Sequence, residues 1–188
     1  MADAISPLAL LRDCVSADGG WGYRVDQPAH LEPTCLALLA GAEQGWPAIE
    51  LHAGGDGSYR LARGRPQAVW PTALVLFTKA KSNIPAAQLK PIIDKLLTIE
   101  GKVVRLETSD AGDIDAGLLG WPWASDTFSW VEPTAWACLA LRAAGQGAQH
   151  RVQAPYPLLG HEGTVGEDHA SILPPRTDTH ATRCLRTR

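Results

Sequence analysis

Four tryptophans in this 188-residue chain stand close together in sequence and have the chemistry to hold an apolar or cationic group. They are Trp121, Trp123, Trp130 and Trp136. An indole face attracts a cation and offers a large apolar surface, so a group of indoles could line a binding pocket. Tryptophan beside a turn also packs one structural unit onto the next. The sequence leaves both roles open, and packing is the commoner one.

Two glutamates share a context in which a carboxyl group could act as an acid. Glu32 and Glu132 each precede a Pro-Thr dipeptide and a run of apolar residues. A carboxyl group at the mouth of an apolar cavity holds its proton more tightly and can donate it to a substrate. A glutamate beside a helix N-terminus is also stabilised by the helix dipole. Because the glutamate recurs, the structural role is the simpler interpretation.

No spacing in the chain indicates a metal or a cofactor. The cysteines, which are Cys14, Cys35, Cys138 and Cys184, form no C-x-x-C pair, so we expect free thiols in a reducing compartment. The histidines after residue 146 are too dispersed for a zinc site. The glycine-rich stretch at 54–57 lacks the lysine of a phosphate-binding loop.

The composition excludes two further classes. A net charge of −3 argues against a nucleic-acid-binding protein, which usually carries a basic face. No apolar run approaches the roughly 18 residues of a membrane span. The first residues, Met1-Ala2-Asp3-Ala4, lack the basic region of a signal peptide, so we expect a cytoplasmic location.

A threefold repeat organises the chain. A Pro-Thr dipeptide followed by an apolar run begins at Pro33, Pro71 and Pro133. An aromatic residue lies 12 positions before each of these prolines, namely Trp21, Tyr59 and Trp121. Proline suits the first turn of a helix, and runs that are apolar on nearly every side are typical of buried helices. The repeat therefore predicts inner helices over 31–43, 71–81 and 132–144.

Other signals predict the remaining elements. Gly41 and Gly145 should cap the first and third inner helices. The segments Ile5–Cys14 and Ala86–Ile99 have the pattern of amphipathic outer helices, although Pro91 could mark the true start of the second. Residues 44–58 show little helical pattern, so the middle unit should be abbreviated. We expect an insertion at 101–119, with a possible short strand at 102–106.

The repeat resembles that of the prenyltransferase/squalene-cyclase family, also called the terpenoid cyclase family. The resemblance rests on GGWGY at 19–23 with EPTCLALLAG at 32–41, and on GWPW at 120–123 with FSWVEPTAWACLALRAAG at 128–145. It implies an all-α protein in which inner and outer helices alternate around an apolar cavity, as an α/α toroid. In enzymes of this family the cavity takes long isoprenoids, which are cyclised by protonation or transferred to a cysteine.

The resemblance also assigns candidate site residues. It places the proton-donating aspartate of cyclases level with Glu132, and Glu32 holds the same position in the first unit. It makes the four tryptophans candidates for lining an isoprenoid pocket. The nearest literal match to the acidic cyclase motif is Asp113-Ile114-Asp115-Ala116, which lacks the final carboxylate. The glutamine that normally precedes each turn aromatic is replaced by Val15, Ala53 and Asp115.

We therefore predict a partial α/α toroid over 1–145, with units at about 5–43, 44–81 and 82–145, and an irregular segment over 146–188. Three units supply about half a ring, so the chain would be a fragment, or a second copy or another chain would complete it. The expected function is that of a cyclase-like or prenyltransferase-like repeat protein with a cavity for an apolar polyprenoid, inactive as an isolated chain. The alternative is a non-catalytic helical scaffold that binds another protein.

Overall fold

The computed structural model describes residues 6–61, 69–102, 120–147 and 149–153. All of them lie in the compact unit Met1–Tyr156, whereas a second unit, Pro157–Arg188, falls outside the described residues. The described part contains seven helices. They are α1 (Pro7–Asp13), α2 (Leu31–Leu39), α3 (Trp46–Glu50), α4 (Pro71–Lys81), α5 (Ala86–Thr98), α6 (Val131–Ala143) and α7 (His150–Gln153).

The all-α prediction is confirmed for this part of the chain. The described ranges contain no strand, and their β-type pairing is limited to three isolated bridges. One of these joins Lys102 to Phe128, at the edge of the segment predicted as a possible strand. Residues 103–106 of that segment, and most of the predicted insertion, lie outside the described residues.

Helices are confirmed at the three predicted positions, as α2, α4 and α6. We use inner helix as a name for these three, and outer helix for α1, α3, α5 and α7. Pro33, Pro71 and Pro133 all lie in the first turn, where the missing N–H of proline costs no hydrogen bond. The prediction that all three are buried on most sides holds for α2 and α4 and fails for α6, where exposed residues outnumber buried ones. Because α4 packs against α2, α5 and α6, it is enclosed, whereas α2 and α6 each keep one exposed side.

The inner helices end in the same way. The second residue after each helix has a left-handed backbone, with φ of 100° at Gly41, 56° at Asn83 and 79° at Gly145. In each case the next amide donates to a carbonyl five residues earlier, as Ala42 does to Ala37 at 3.0 Å. This is the Schellman arrangement, which satisfies carbonyls at a helix end. The two predicted glycine caps are confirmed, and Asn83 fills the third position because asparagine tolerates this conformation.

Outer helices alternate with the inner ones along the chain. Each inner helix packs against the helix that follows it, in the pairs α2–α3, α4–α5 and α6–α7. The middle unit is abbreviated as predicted, since α3 has five residues. Helix α5 continues through Pro91 and does not begin there. The exposed side of the helix accommodates the proline ring, while Leu89, Ile92 and Leu96 face the core.

Helix α7 lies within the segment that was predicted to be irregular. It packs on α6 as α3 packs on α2, and Val152 is fully buried there. The prolines of this segment do not prevent the helix, because the first of them, Pro155, comes after the last residue of α7. The rest of the predicted irregular segment, from residue 154, lies outside the described residues.

Replacing Asn83 with glycine should raise the free energy of unfolding by up to about 1 kcal/mol, because glycine adopts a left-handed φ without steric cost. The matched control is Ser82→Gly. Ser82 has an ordinary φ of −89°, so glycine there adds only flexibility to the unfolded chain and should destabilise the protein. Urea unfolding of both variants measures the difference, and equal effects in the two would contradict the assigned cap.

Candidate functional site: the aromatic row on α4

The three turn aromatics are held by one repeated hydrogen bond. The backbone N–H of Trp21 donates to the hydroxyl oxygen of Thr34 at 3.0 Å. The same bond joins Tyr59 to Thr72 at 3.0 Å and Trp121 to Thr134 at 2.9 Å. All three aromatic side chains are buried. The predicted equivalence of the turn aromatics is therefore confirmed, and the threonine of each Pro-Thr dipeptide is the residue that fixes the turn.

Glycine before the tryptophan is a consequence of this bond. A Cβ atom on Gly20 would lie 2.7 Å from the Thr34 hydroxyl oxygen, and one on Gly120 would lie 2.3 Å from that of Thr134. Both distances are shorter than real contacts allow, so a larger residue would displace the threonine. The Gly-aromatic pattern in the sequence thus reports how closely the turn approaches the inner helix.

The two turn tryptophans also bind the preceding outer helix. The indole N–H of Trp21 donates to the carbonyl of Leu11 at 2.8 Å, and that of Trp121 donates to the carbonyl of Leu96 at 2.8 Å. Each carbonyl belongs to the third residue from the end of its helix, where it also accepts the backbone N–H of the capping residue, Cys14 or Ile99. Each indole therefore connects an outer helix to the following inner helix.

Arg151 covers the last of these tryptophans. Its guanidinium carbon lies 3.9 Å from the centre of the Trp121 ring, and its nitrogens donate to the carbonyls of Leu97, Ile99 and Gly120. Burial lowers the pKa of this guanidinium, but the neighbouring carbonyls and ring stabilise its charge. Trp121 is thus engaged in packing α5, α6 and α7 together.

The middle unit replaces the indole contact with a charged network that the sequence did not reveal. The Tyr59 hydroxyl lies 3.1 Å from a Glu50 carboxylate oxygen and receives a hydrogen bond from the Lys79 ammonium at 2.9 Å. Lys79 also pairs with Glu50 at 2.6 Å. Burial opposes the charge on Lys79, yet these two hydrogen bonds outweigh burial and raise its pKa. Glu50 is the last residue of α3, so Tyr59 reaches the same end of the outer helix as the indoles do.

The two candidate acids lie in equivalent places and are not brought together. Glu32 and Glu132 stand in the first turns of α2 and α6, and α4 separates these helices by two interhelical spacings, on the order of 15–20 Å. The Tyr23 hydroxyl donates to Glu32 at 2.5 Å, and lost hydration together with this carboxylate raises the pKa of Tyr23 to about 12. Glu132 is exposed to solvent.

Two of the four candidate tryptophans contribute to a row of aromatic rings along α4. Trp123 meets Trp70 edge to face, with ring centres 5.4 Å apart, and Trp136 meets Phe77 in the same way at 5.8 Å. Trp70 and Phe77 are seven residues apart, so they lie on one side of α4 about 10 Å from each other. All four rings are partly exposed. We call these four residues the aromatic row.

The other two tryptophans lie elsewhere. Trp121 is buried behind the turn, and Trp130 is exposed beside Phe128 with ring centres 5.0 Å apart. Phe77 was not singled out in the sequence, and the signal that could have found it is its spacing of seven residues from Trp70. Burial raises the pKa of the Cys35 thiol to about 12, so this cysteine is poorly suited to nucleophilic chemistry.

One polar atom in the first unit is buried without a partner. The Nδ1 atom of His30 forms no hydrogen bond within the described residues, and the Tyr23 ring lies 4.7 Å from the histidine ring. Burial and the charge of His52 lower the pKa of His30, and Glu32 opposes this effect less strongly. The folded chain therefore favours the neutral imidazole.

Acidification from about pH 7.5 to about pH 5.5 should lower the free energy of unfolding, because the unfolded chain binds a proton that folded His30 resists. Neutral His30 contributes fully to the free energy of unfolding above the pKa of about 6.5 that the histidine has in the unfolded chain. This contribution is lost as the pH falls toward the lower pKa that His30 has in the folded chain. His30→Gln should weaken this pH dependence in urea unfolding. A variant with the same pH dependence as the original chain would contradict the assignment.

Comparisons with known proteins add no relative from which a role could be transferred. Nothing among the protein-family models, the curated proteins or the solved structures matches this chain. The helices within the described ranges include none that is both long and apolar enough to cross a membrane. The described residues also hold no group of three or more histidine, cysteine, aspartate or glutamate side chains placed to bind a metal ion.

Proposed function

We propose that this chain is a cyclase-like helical-repeat protein that binds an apolar polyprenoid along the aromatic row and does not convert it. The observation that carries the proposal is the row itself. Four partly exposed rings in two edge-to-face pairs follow one side of α4. Such a surface shields the hydrocarbon chain of a ligand from water, and it needs no polar group on the ligand.

The scaffold supports binding because it holds the row rigidly. Trp70 and Phe77 belong to α4, which is enclosed by three other helices. The carbonyl of Trp123 receives the backbone N–H of Val69 at 3.0 Å, which fixes the third-unit turn against the start of α4. A preformed surface of this kind loses little conformational entropy when a ligand binds.

The placement of the acids supports binding in preference to cyclisation. Proton-initiated cyclisation needs a proton donor held close to the alkene and shielded from water. Glu132 is exposed, and Glu32 accepts a hydrogen bond from Tyr23. The nearest match to the family's acidic motif, residues 113–116, lies outside the described residues.

Calorimetric titration with geranylgeraniol tests the proposal. The full chain should bind it, and Trp136→Ala should raise the Kd about tenfold because one ring of the row is lost. Trp130→Ala is the matched control, since Trp130 pairs with Phe128 away from the row, and its Kd should equal that of the original chain. Circular dichroism confirms that both variants are folded.

Absence of binding by the original chain, or equal losses in the two variants, would contradict the proposal. Incubation with squalene or geranylgeranyl diphosphate should give no product above a boiled control. Product formation that Glu132→Gln abolishes would show that the chain is a cyclase after all.

The alternative function, a scaffold that binds another protein, also has an observation in its favour. The exposed side of α6 carries apolar residues, including Val131 and Leu139. Apolar residues grouped on one helix side mark sites of protein association. Recovery of a stoichiometric protein partner, with no extractable isoprenoid, would favour this alternative over polyprenoid binding.

A further inference from the structure

Each inner helix carries two apolar faces, whose positions are counted from the shared Pro-Thr dipeptide. The forward face consists of Leu31, Cys35 and Leu39 in α2, of Val69, Ala73 and Phe77 in and just before α4, and of Val131, Ala135 and Leu139 in α6. The rear face consists of Leu36 and Ala40 in α2, of Leu74 and Thr78 in α4, and of Trp136 and Ala140 in α6.

The forward face of each inner helix packs on the rear face of the next. The Cys35 thiol of α2 lies close to the Thr78 hydroxyl of α4. The Phe77 ring of α4 meets the Trp136 ring of α6 at 5.8 Å. Two successive interfaces therefore use the same pair of faces.

At the two ends of this series one face of each kind is left uncovered. On the forward face of α6, Val131 is 86% exposed, Leu139 is 49% exposed and Ala135 is also exposed, whereas the corresponding residues of α2 and α4 are buried or half-buried. On the rear face of α2, Leu36 is 47% exposed and Ala40 is exposed. In the described part of the chain these residues of both faces are open to solvent.

The two uncovered faces carry the same kinds of residue as the faces that pack inside the chain. Every forward face has a large, a small and a large residue in successive turns, and every rear face has a large residue followed by a smaller one. The α6 forward face and the α2 rear face both keep this alternation. Packing one on the other would bury apolar side chains of the same kinds that the internal interfaces bury.

We propose that a second copy of this chain covers these faces, with the forward face of α6 in one copy packed on the rear face of α2 in the next. This contact is heterologous, because it joins two different surfaces, and it either closes a ring or extends a chain of copies. It adds a third interface between the same two kinds of face that the internal interfaces join. The proposal is independent of polyprenoid binding, since its exposed residues are not part of the aromatic row.

Sedimentation velocity of the full chain at about 1–100 μM tests the proposal. The original chain should associate with rising concentration. Leu139→Glu and Leu36→Glu should each raise the apparent Kd at least about tenfold, because either change places an unpaired carboxylate in the contact. Leu51→Glu is the matched control, as Leu51 is an exposed leucine after α3, and its association should be unchanged.

Mixing the two variants separates this contact from a symmetric one. The Leu36→Glu chain keeps an intact α6 face and the Leu139→Glu chain keeps an intact α2 face, so the mixture should form a one-to-one complex that neither variant forms alone. Association of Leu36→Glu by itself would show that α6 packs on α6 and would overturn the proposal. A monomeric original chain, or a mixture that stays monomeric, would overturn it as well.

Discussion

This structure depends on one repeated hydrogen bond. In it, a threonine hydroxyl accepts the backbone N–H of an aromatic residue thirteen positions earlier in the chain. It recurs at Thr34, Thr72 and Thr134. A buried N–H without a partner costs about 1–3 kcal/mol, so each turn is strongly favoured in one position over its inner helix. That position brings the aromatic side chain to the end of the preceding outer helix. One bond thus orders the outer helix, the turn and the inner helix of a unit.

The middle unit shows that this backbone contact tolerates a change in the side chain it positions. Tyr59 cannot donate as an indole does, and its hydroxyl instead joins Glu50 and Lys79. The buried ammonium then depends on Glu50 for its counter-charge. The turn and its inner helix consequently keep one arrangement in all three units. Between the second and third units Trp70 meets Trp123, and Phe77 meets Trp136.

Much of the helical architecture could be predicted from the sequence, because Pro-Thr, the turn aromatics and Gly41 are local signals. The burial of each helix could not be predicted, since it depends on which other helices pack beside it. Helix α4 is enclosed, while α6 leaves Leu139 exposed. The candidate site was predicted in part. Trp123 and Trp136 lie in the aromatic row, but Phe77 joins it only through a tertiary contact. The Lys79 network likewise unites residues from three separate segments, which no spacing in the sequence could indicate.

Hydrogen exchange at the backbone amides of Trp21, Tyr59 and Trp121 tests the central claim most directly. If each amide is bound to its threonine hydroxyl, all three should exchange as slowly as amides within α4, and Thr→Val at one site should accelerate exchange chiefly at its own aromatic partner. The matched comparison is the amide of Val25, an exposed loop residue, which should exchange rapidly. Exchange of the three aromatic amides at the rate of Val25 would contradict the account.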